Sequence, residues 1–432
     1  MSRLISDLGI IKKLQNALTD LEITVATDIQ EQVIPVILDQ TEDLVALAKT
    51  GTGKTAAFGL PLLQLVDTEN IPVQTLILSP TRELSQQIYN NLKDLAKYMP
   101  EVSIVLLTGG NTVKSQVEEL KSAPQVIVAT PGRFLDLLEK GEVDIKSLKN
   151  LVLDEADEMF QALKEDLMSI LKAVPKNRRT YLFSATMPGE LKDIVHNHMS
   201  KNAVSINSDM ATIGHEGIDH QYTVVDPIEK LDMLLHFLNS QEGGRGIIFC
   251  KTKAAVNKLA KNLAIRKISS GALHGSLTQG IRDRIMDQFR EGYIDILVAT
   301  DLVARGIDVK ELAYVVNYHL PDTPEAYVHR SGRTGRAGSK GLSMTIIQEE
   351  EVKEIAEFEQ ELGIKFHPVK KANAEDIEWN NTLVWAKKVF KTKPNREVPD
   401  EVRQQVKTIF HHLTKEELMD KVLSNYLAEN SK

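Results

Sequence analysis

Short apolar, β-branched runs alternate along the chain with longer stretches whose apolar residues recur at helical spacing, a pattern that predicts parallel strands joined by right-handed helical crossovers. The strand runs of the first half are DLVALA, TLILSP, SIVLLT, QVIVAT, NLVLDE and RTYLFSAT; those of the second are GIIFC, ISSGALHG, DILVAT, YVVNYH and GLSMTII. Polar or glycine-bearing turn residues follow each run, so two successive α/β sheets fit better than one long sheet. Ile127-Val128-Ala129-Thr130 is echoed by Leu297-Val298-Ala299-Thr300, as a duplication would leave. Between the halves SINSDMATIGHEG is small, polar and aperiodic. After His367 the pattern is helical, broken at Lys393-Pro394-Asn395, and shows no further strand ladder. The expected organisation is a first domain over 1–206, a linker over 207–217, a second domain over 218–366 and a helical extension over 367–432.

Composition narrows the class. At 432 residues, 42% hydrophobic and 26% charged, the chain can bury more than one core. The single cysteine, Cys250, excludes an intramolecular disulfide framework and a thiolate zinc cluster, and its run GIIFC marks it as a buried strand residue. No apolar run reaches the roughly 18 residues of a membrane span, and MSRLISDLGI lacks a signal-peptide apolar region, so a cytoplasmic location is expected. A net charge of −8 gives the chain as a whole little attraction for polyanions, so any nucleic-acid site must arise from local arrangement.

Candidate chemistry begins at Ala48-Lys49-Thr50-Gly51-Thr52-Gly53-Lys54-Thr55, a phosphate-binding loop between the run DLVALA and the apolar helix that follows. Glycines let the backbone approach, N–H groups at a helix start hold phosphates, Lys54 reaches the β- and γ-phosphates, and the Thr55 hydroxyl binds Mg²⁺. Asp154-Glu155-Ala156-Asp157 closes the strand run NLVL, where Asp154 can complete the Mg²⁺ shell and Glu155 can polarise the attacking water.

AKTGTGKT, PTREL (80–84), TPGR (130–133), DEAD (154–157), SAT (184–186), ATDLVARGID (299–308) and HRSGRTGR (329–336) stand in the order found in the DEAD-box ATP-dependent RNA helicases, which the chain resembles over roughly residues 5–366. The resemblance implies an α/β fold of two tandem RecA-like parallel-sheet domains, ATP and Mg²⁺ as cofactors, and RNA as substrate. It implies that Gln30 reads the adenine, that Arg333 and Arg336 are arginine fingers, and that Gly306 and Asp308 contact ribose and phosphates. Ser184, Thr186 and His329 would couple hydrolysis to the domain junction. The chain departs from the family near the adenine, where Ile23 and Ile5 replace usual aromatics and Ala26 a usual proline. Loss of the stacked ring costs about 0.5–1.5 kcal/mol, so a loosened adenine pocket is expected.

Arg82, Arg133, Arg282 and Arg305 each lie just beyond a predicted strand or at a helix start, beside small or hydroxyl residues such as Thr130, Gly132 and Thr300. Such sets suit phosphate oxygens and sugar hydroxyls without reading bases. By resemblance Gly109, Gly110, Gln279 and Asp301 lie on the same path. Phosphate contacts alone leave RNA and DNA open, and only the resemblance favours RNA. With phosphate loop and carboxylates in one half and arginine fingers in the other, hydrolysis requires closure, and RNA held by both halves should stimulate it. The expected activity is ATP-dependent separation of short RNA duplexes or remodelling of ribonucleoproteins; the alternative is an ATP-gated RNA clamp that recruits partners through the extension. Trp379, Leu383, Val384, Trp385, Val389 and Phe390 suggest an amphipathic helix that docks on the second domain, binds a partner or self-associates.

Overall fold

The computed structural model describes residues 3–48, 52–69, 72–207, 217–241, 243–301, 312–335, 340–371, 374–393 and 397–430. The first sheet comprises β1 (Leu44–Leu47), β2 (Thr75–Leu78), β3 (Ile104–Leu107), β4 (Val126–Ala129), β5 (Asn150–Leu153), β6 (Arg179–Ser184) and β7 (Val204–Asn207), in the order β3-β4-β2-β5-β6-β1-β7. The second comprises β8 (Ile218–Val224), β9 (Gly246–Phe249), β10 (Ser270–Leu273), β11 (Ile296–Ala299), β12 (Tyr314–Asn317), β13 (Gly341–Ile347) and β14 (His367–Pro368), in the order β10-β11-β9-β12-β13-β8-β14. The second order is the first advanced by seven strands. The tetrapeptide echo falls on β4 and β11, which occupy equivalent places.

All pairings between these strands are parallel, and helices cover both faces. Alternation along β2 shows why: Ile77 packs into one apolar cluster while Leu76 and Leu78 pack into the cluster on the opposite face. In the second sheet Ile248 and Val298 enter one cluster and Ile247 and Leu297 the other. Cys250 is fully buried at the end of β9. Strands buried on both sides read as continuous apolar runs, which is how the sequence announced them.

Three strands escaped that reading. β7 is an edge strand with one buried residue, and β8, IDHQYTV, is interrupted by three consecutive polar residues, so neither presents an apolar run. β14 pairs with β8 at Gln221 and Tyr222, which corrects the expectation that nothing after residue 366 joins the ladder. The extension then forms helices Ala374–Lys391, Asp400–Phe410 and Lys415–Asn430. The first packs on the second-domain helix Lys230–Ser240 and on the last helix, where the Trp385 ring stacks on Tyr426 at 4.2 Å. Trp379, Leu383 and Phe390 remain exposed. Among the described residues no helix is long and apolar enough to cross a membrane.

This topology sets β5, β6 and β1 side by side, so the segments that follow them converge at one end of the sheet. Those segments are the acidic tetrapeptide, Ser184–Thr186 and the phosphate loop.

Candidate active site and nucleic-acid interface

The helix Lys54–Gln64 starts from Gly53, whose φ of 94° favours glycine, and a Cβ there would come within 2.5 Å of Gln30 Nε2. Gln30 is itself held: its Nε2 donates to the Gly53 carbonyl at 3.2 Å, and Thr27 N donates to its Oε1 at 3.0 Å. One buried amide thus ties the segment carrying Ile23 to the phosphate loop. Ile23 is half-buried against the first-domain core, and Ile5 lies fully within it.

Lys54 is buried, with Nζ 3.0 Å from Glu155 Oε1 and 3.9 Å from Asp154 Oδ1. Burial works against its charge, but Glu155 and Asp154 outweigh burial and raise the Lys54 pKa. Burial also pushes the Asp154 carboxyl up to about 7 despite the pull of Lys54. Glu155 sits in the left-handed region at φ 52°, uncommon outside glycine, where the strand turns into the helix Ala156–Ala173. Thr52 and Thr55 are partly exposed beside this pair, whereas Lys49, Thr50 and Gly51 lie outside the described residues.

The remaining acidic residue links three segments. Asp157 Oδ2 accepts from Thr186 N at 3.0 Å and from Thr186 Oγ1 at 2.7 Å, and the Ser184 hydroxyl donates to the Thr186 carbonyl. From the second domain, His329 places Nε2 3.4 Å from Asp157 Oδ2 and Nδ1 3.2 Å from Glu158 Oε1. Burial lowers the His329 pKa, but Glu158 and Asp157 outweigh it and lift the ring to about 9. The same contacts, with Thr186, overcome burial at Asp157 and hold its carboxyl well below the usual range. Arg333, also buried, donates from Nε to the His329 carbonyl at 3.3 Å. Arg336, Gly306, Asp308 and Arg305 lie outside the described residues.

The other track runs across both domains. Gly109 packs on the Arg82 guanidinium so closely that a Cβ would meet Nη2 at 2.5 Å, and Gly110 flanks it at φ 103°. Thr130 stands at the start of the helix Pro131–Glu139, from which Arg133 donates to the Asn111 carbonyl at 3.2 Å and to Gln116 Oε1 at 2.5 Å; Gly132 lies against Asp166. Arg282 donates to Glu83 Oε1 at 2.7 Å and to the Gly275 carbonyl at 3.1 Å, bridging the domains. Gln279 donates to Asp283 within its own helix. Thr300 N donates to the Leu273 carbonyl at the end of β11, and Asp301 is gripped at both oxygens by Arg330.

Residues 27–194 match the DEAD/DEAH box helicase family, 229–338 the helicase conserved C-terminal domain, and 377–429 the helical domain of a probable ATP-dependent RNA helicase. The chain is 41% identical over 373 residues, 86% of its length and 74% of the relative's, to the ATP-dependent RNA helicase CshA of Limosilactobacillus reuteri. The chain is a DEAD-box ATP-dependent RNA helicase. Its fold resembles S. cerevisiae Dbp5 bound to RNA and ADP BeF3, with a TM-score of 0.78 and 29% identity over 90% of this chain and all of that one. It also resembles Mss116p bound to ssRNA and AMP-PNP, with a TM-score of 0.80 and 26% identity over 96% of this chain and 88% of that one.

Three residues that pair with candidate site residues escaped the sequence reading: Glu83, Glu158 and Arg330. Glu83 stands in PTREL and Arg330 in HRSGR, so their positions were visible, but their partners lie 199 and 29 residues away. Nothing in the sequence marks Glu158. Arg330 also donates to Asn317 and to the His319 carbonyl and stands over the Phe249 ring, so it anchors Asp301 rather than facing solvent. The mostly buried Arg282–Glu83 pair is expected to show a coupling of about 1–2 kcal/mol in a double-mutant cycle. The readout is RNA affinity with a non-hydrolysable ATP analogue; coupling near zero would mean that the pair does not contribute to closure.

Proposed function

We propose that ATP is hydrolysed where the buried Lys54–Glu155–Asp154 group of the first domain meets His329 and Arg333 of the second, and that RNA lies along the track of Arg82, Arg133 and Arg282. The single observation that carries this reading is the interdomain contact of His329 with Asp157 and Glu158, one helical turn from Glu155. Closure and the catalytic carboxylates are then parts of one hydrogen-bonded unit.

In this reading Lys54 leaves Glu155 for the β- and γ-phosphates, which frees Glu155 to take a proton from the attacking water. The Asp154 carboxylate and Thr55 hydroxyl are hard oxygen donors that suit Mg²⁺. Bound there, Mg²⁺ would offset charge on the phosphates. Gln30 would exchange its contact with Gly53 for the adenine edge, and Arg333, with Arg336, would stabilise charge on the γ-phosphate. Arg82, Arg133 and Arg282, with Thr130, Thr300 and the close-packed glycines, would grip phosphates and riboses from both domains. ATP and RNA would therefore favour the same closed state. A cytoplasmic site of action accompanies this reading.

The test is ATP-dependent release of one strand from a short RNA duplex, with hydrolysis measured in parallel. Release that requires ATP and is lost in Lys54→Ala supports the reading; hydrolysis indifferent to RNA overturns it. Ile23→Phe is expected to tighten ATP binding about three- to tenfold by restoring a ring beside the base. Equal ATP dissociation constants for the two proteins would remove Ile23 from the adenine pocket.

A further inference from the structure

Residues 243–282 contain eight Lys or Arg and no Asp or Glu, in a chain whose net charge is −8. Most of these cations gather on one element. The helix Lys253–Ile265 buries Val256, Leu259 and Leu263 against the second sheet, so Lys253, Lys258 and Lys261 face solvent, and Arg266 and Lys267 extend the same exposed surface past its end. None of the five forms an ion pair with a described carboxylate. Lys258 and Lys261, three residues apart on this helix, repel one another at a small cost to it. The chain's acidic balance already provides solubility, and this exposed set of cations suits a ligand of opposite charge.

Two contacts join this face to the interdomain track. Asn257, exposed on the helix, places Oδ1 3.1 Å from Nε2 of His274, and the loop that His274 begins accepts from Arg282 at Gly275. His274 is 95% buried there, and its Nδ1 has no hydrogen-bond partner among the described residues. Burial, Lys253 and Arg282 together lower its pKa, so the two sets of cations share one electrostatic neighbourhood. The helix runs away from the track for about 20 Å, long enough to follow several successive phosphates.

We infer that Lys258, Lys261, Arg266 and Lys267 form an accessory site for the phosphates of RNA that flanks the segment held in the cleft, entered past Lys253 and Asn257. The inference rests on the reading that RNA occupies the cleft. RNA fits better than an acidic protein, because the face has no aromatic anchor and only Ile265 as an exposed large apolar side chain. A row of lysines on a flat helix suits counterion release by a phosphate backbone.

The test compares wild type with the triple variant Lys258→Gln, Lys261→Gln and Arg266→Gln, in which glutamine preserves helix propensity and length. Affinity is measured against salt, with a non-hydrolysable ATP analogue, for a short RNA that fills only the cleft and for a long RNA extending beyond it. The variant is expected to bind the long RNA about tenfold more weakly, with its salt slope reduced by about 2, from three phosphates at about 0.7 each. Short-RNA affinity and short-RNA-stimulated hydrolysis should remain at wild-type values, which also shows that the variant is folded. Equal affinity of both proteins for the long RNA overturns the inference, as does an equal loss for short and long RNA. Loss of binding to a polyglutamate peptide at unchanged RNA affinity also overturns it and assigns the face to an acidic protein. If wild-type hydrolysis does not respond to the short RNA, the cleft reading itself fails, a result separate from any effect of the substitutions.

Discussion

Glu155→Gln is expected to lower RNA-stimulated ATP hydrolysis by about 100- to 10,000-fold while ATP and RNA remain bound together. The carboxylate lies 3.0 Å from Lys54 in a buried pocket, and its replacement by an amide of the same shape removes the proposed proton acceptor. It also removes a competitor for Lys54: with Glu155 present, incoming phosphates must draw the ammonium away from a buried ion pair, whereas a neutral amide holds it less strongly. Nucleotide affinity should therefore be maintained or increased even as turnover falls. The left-handed backbone at Glu155 tolerates the change, since glutamine is no more crowded at Cβ than glutamate. Single-turnover hydrolysis together with RNA retention on a filter measures both effects. Undiminished turnover would refute the role of Glu155 as base, and loss of nucleotide binding would show that its charge serves mainly to hold Lys54.

The second large effect concerns pH. His329 faces carboxylates at both ring nitrogens, Asp157 at Nε2 and Glu158 at Nδ1, with Glu155 adding to the field and Arg333 contacting its carbonyl. Only the doubly protonated ring can donate to both acceptors. When the domains separate, the ring returns toward its ordinary value of 6.5; on closure its pKa rises to about 9. Closure therefore takes up a proton between these values. Its contribution, at most about 3 kcal/mol, is fully present below pH 6.5 and is lost as pH rises through 9. RNA affinity with a non-hydrolysable ATP analogue should be highest on the acidic side and decline toward pH 9, about 300-fold at most, while Asp157 stays ionised throughout. Comparison with a variant lacking the ring separates this proton from that of Asp154, whose carboxyl is also raised, to about 7. His329→Gln should bind RNA more weakly at neutral pH and show a flattened profile. If wild type and variant share the same slope, the ring does not titrate on closure.

Much of the fold was written in local pattern. Strands buried on both faces are apolar at most positions, so β1, β2, β4, β5, β9, β11 and β12 stood out as runs, and the echo between β4 and β11 pointed to the duplication that the strand orders display. Where burial is one-sided or absent, as at β7, β8 and β14, polar or exposed residues concealed the strand. The same distinction separates the site residues. Lys54, Asp154 and Glu155 are marked by neighbours in sequence, because phosphate binding requires glycines and a helix start beside the lysine.

Sequence alone determined the family, the two α/β sheets, and the types of side chain available for nucleotide and RNA. These depend on contiguous residues and on the repeat of burial along a strand. Tertiary structure decided which charges meet. It set Arg282 against Glu83 across 199 residues, closed Arg330 on Asp301, and placed His329 between Asp157 and Glu158. Ion pairing depends on distance in space and on exclusion of water, and neither is a property of neighbours along the chain.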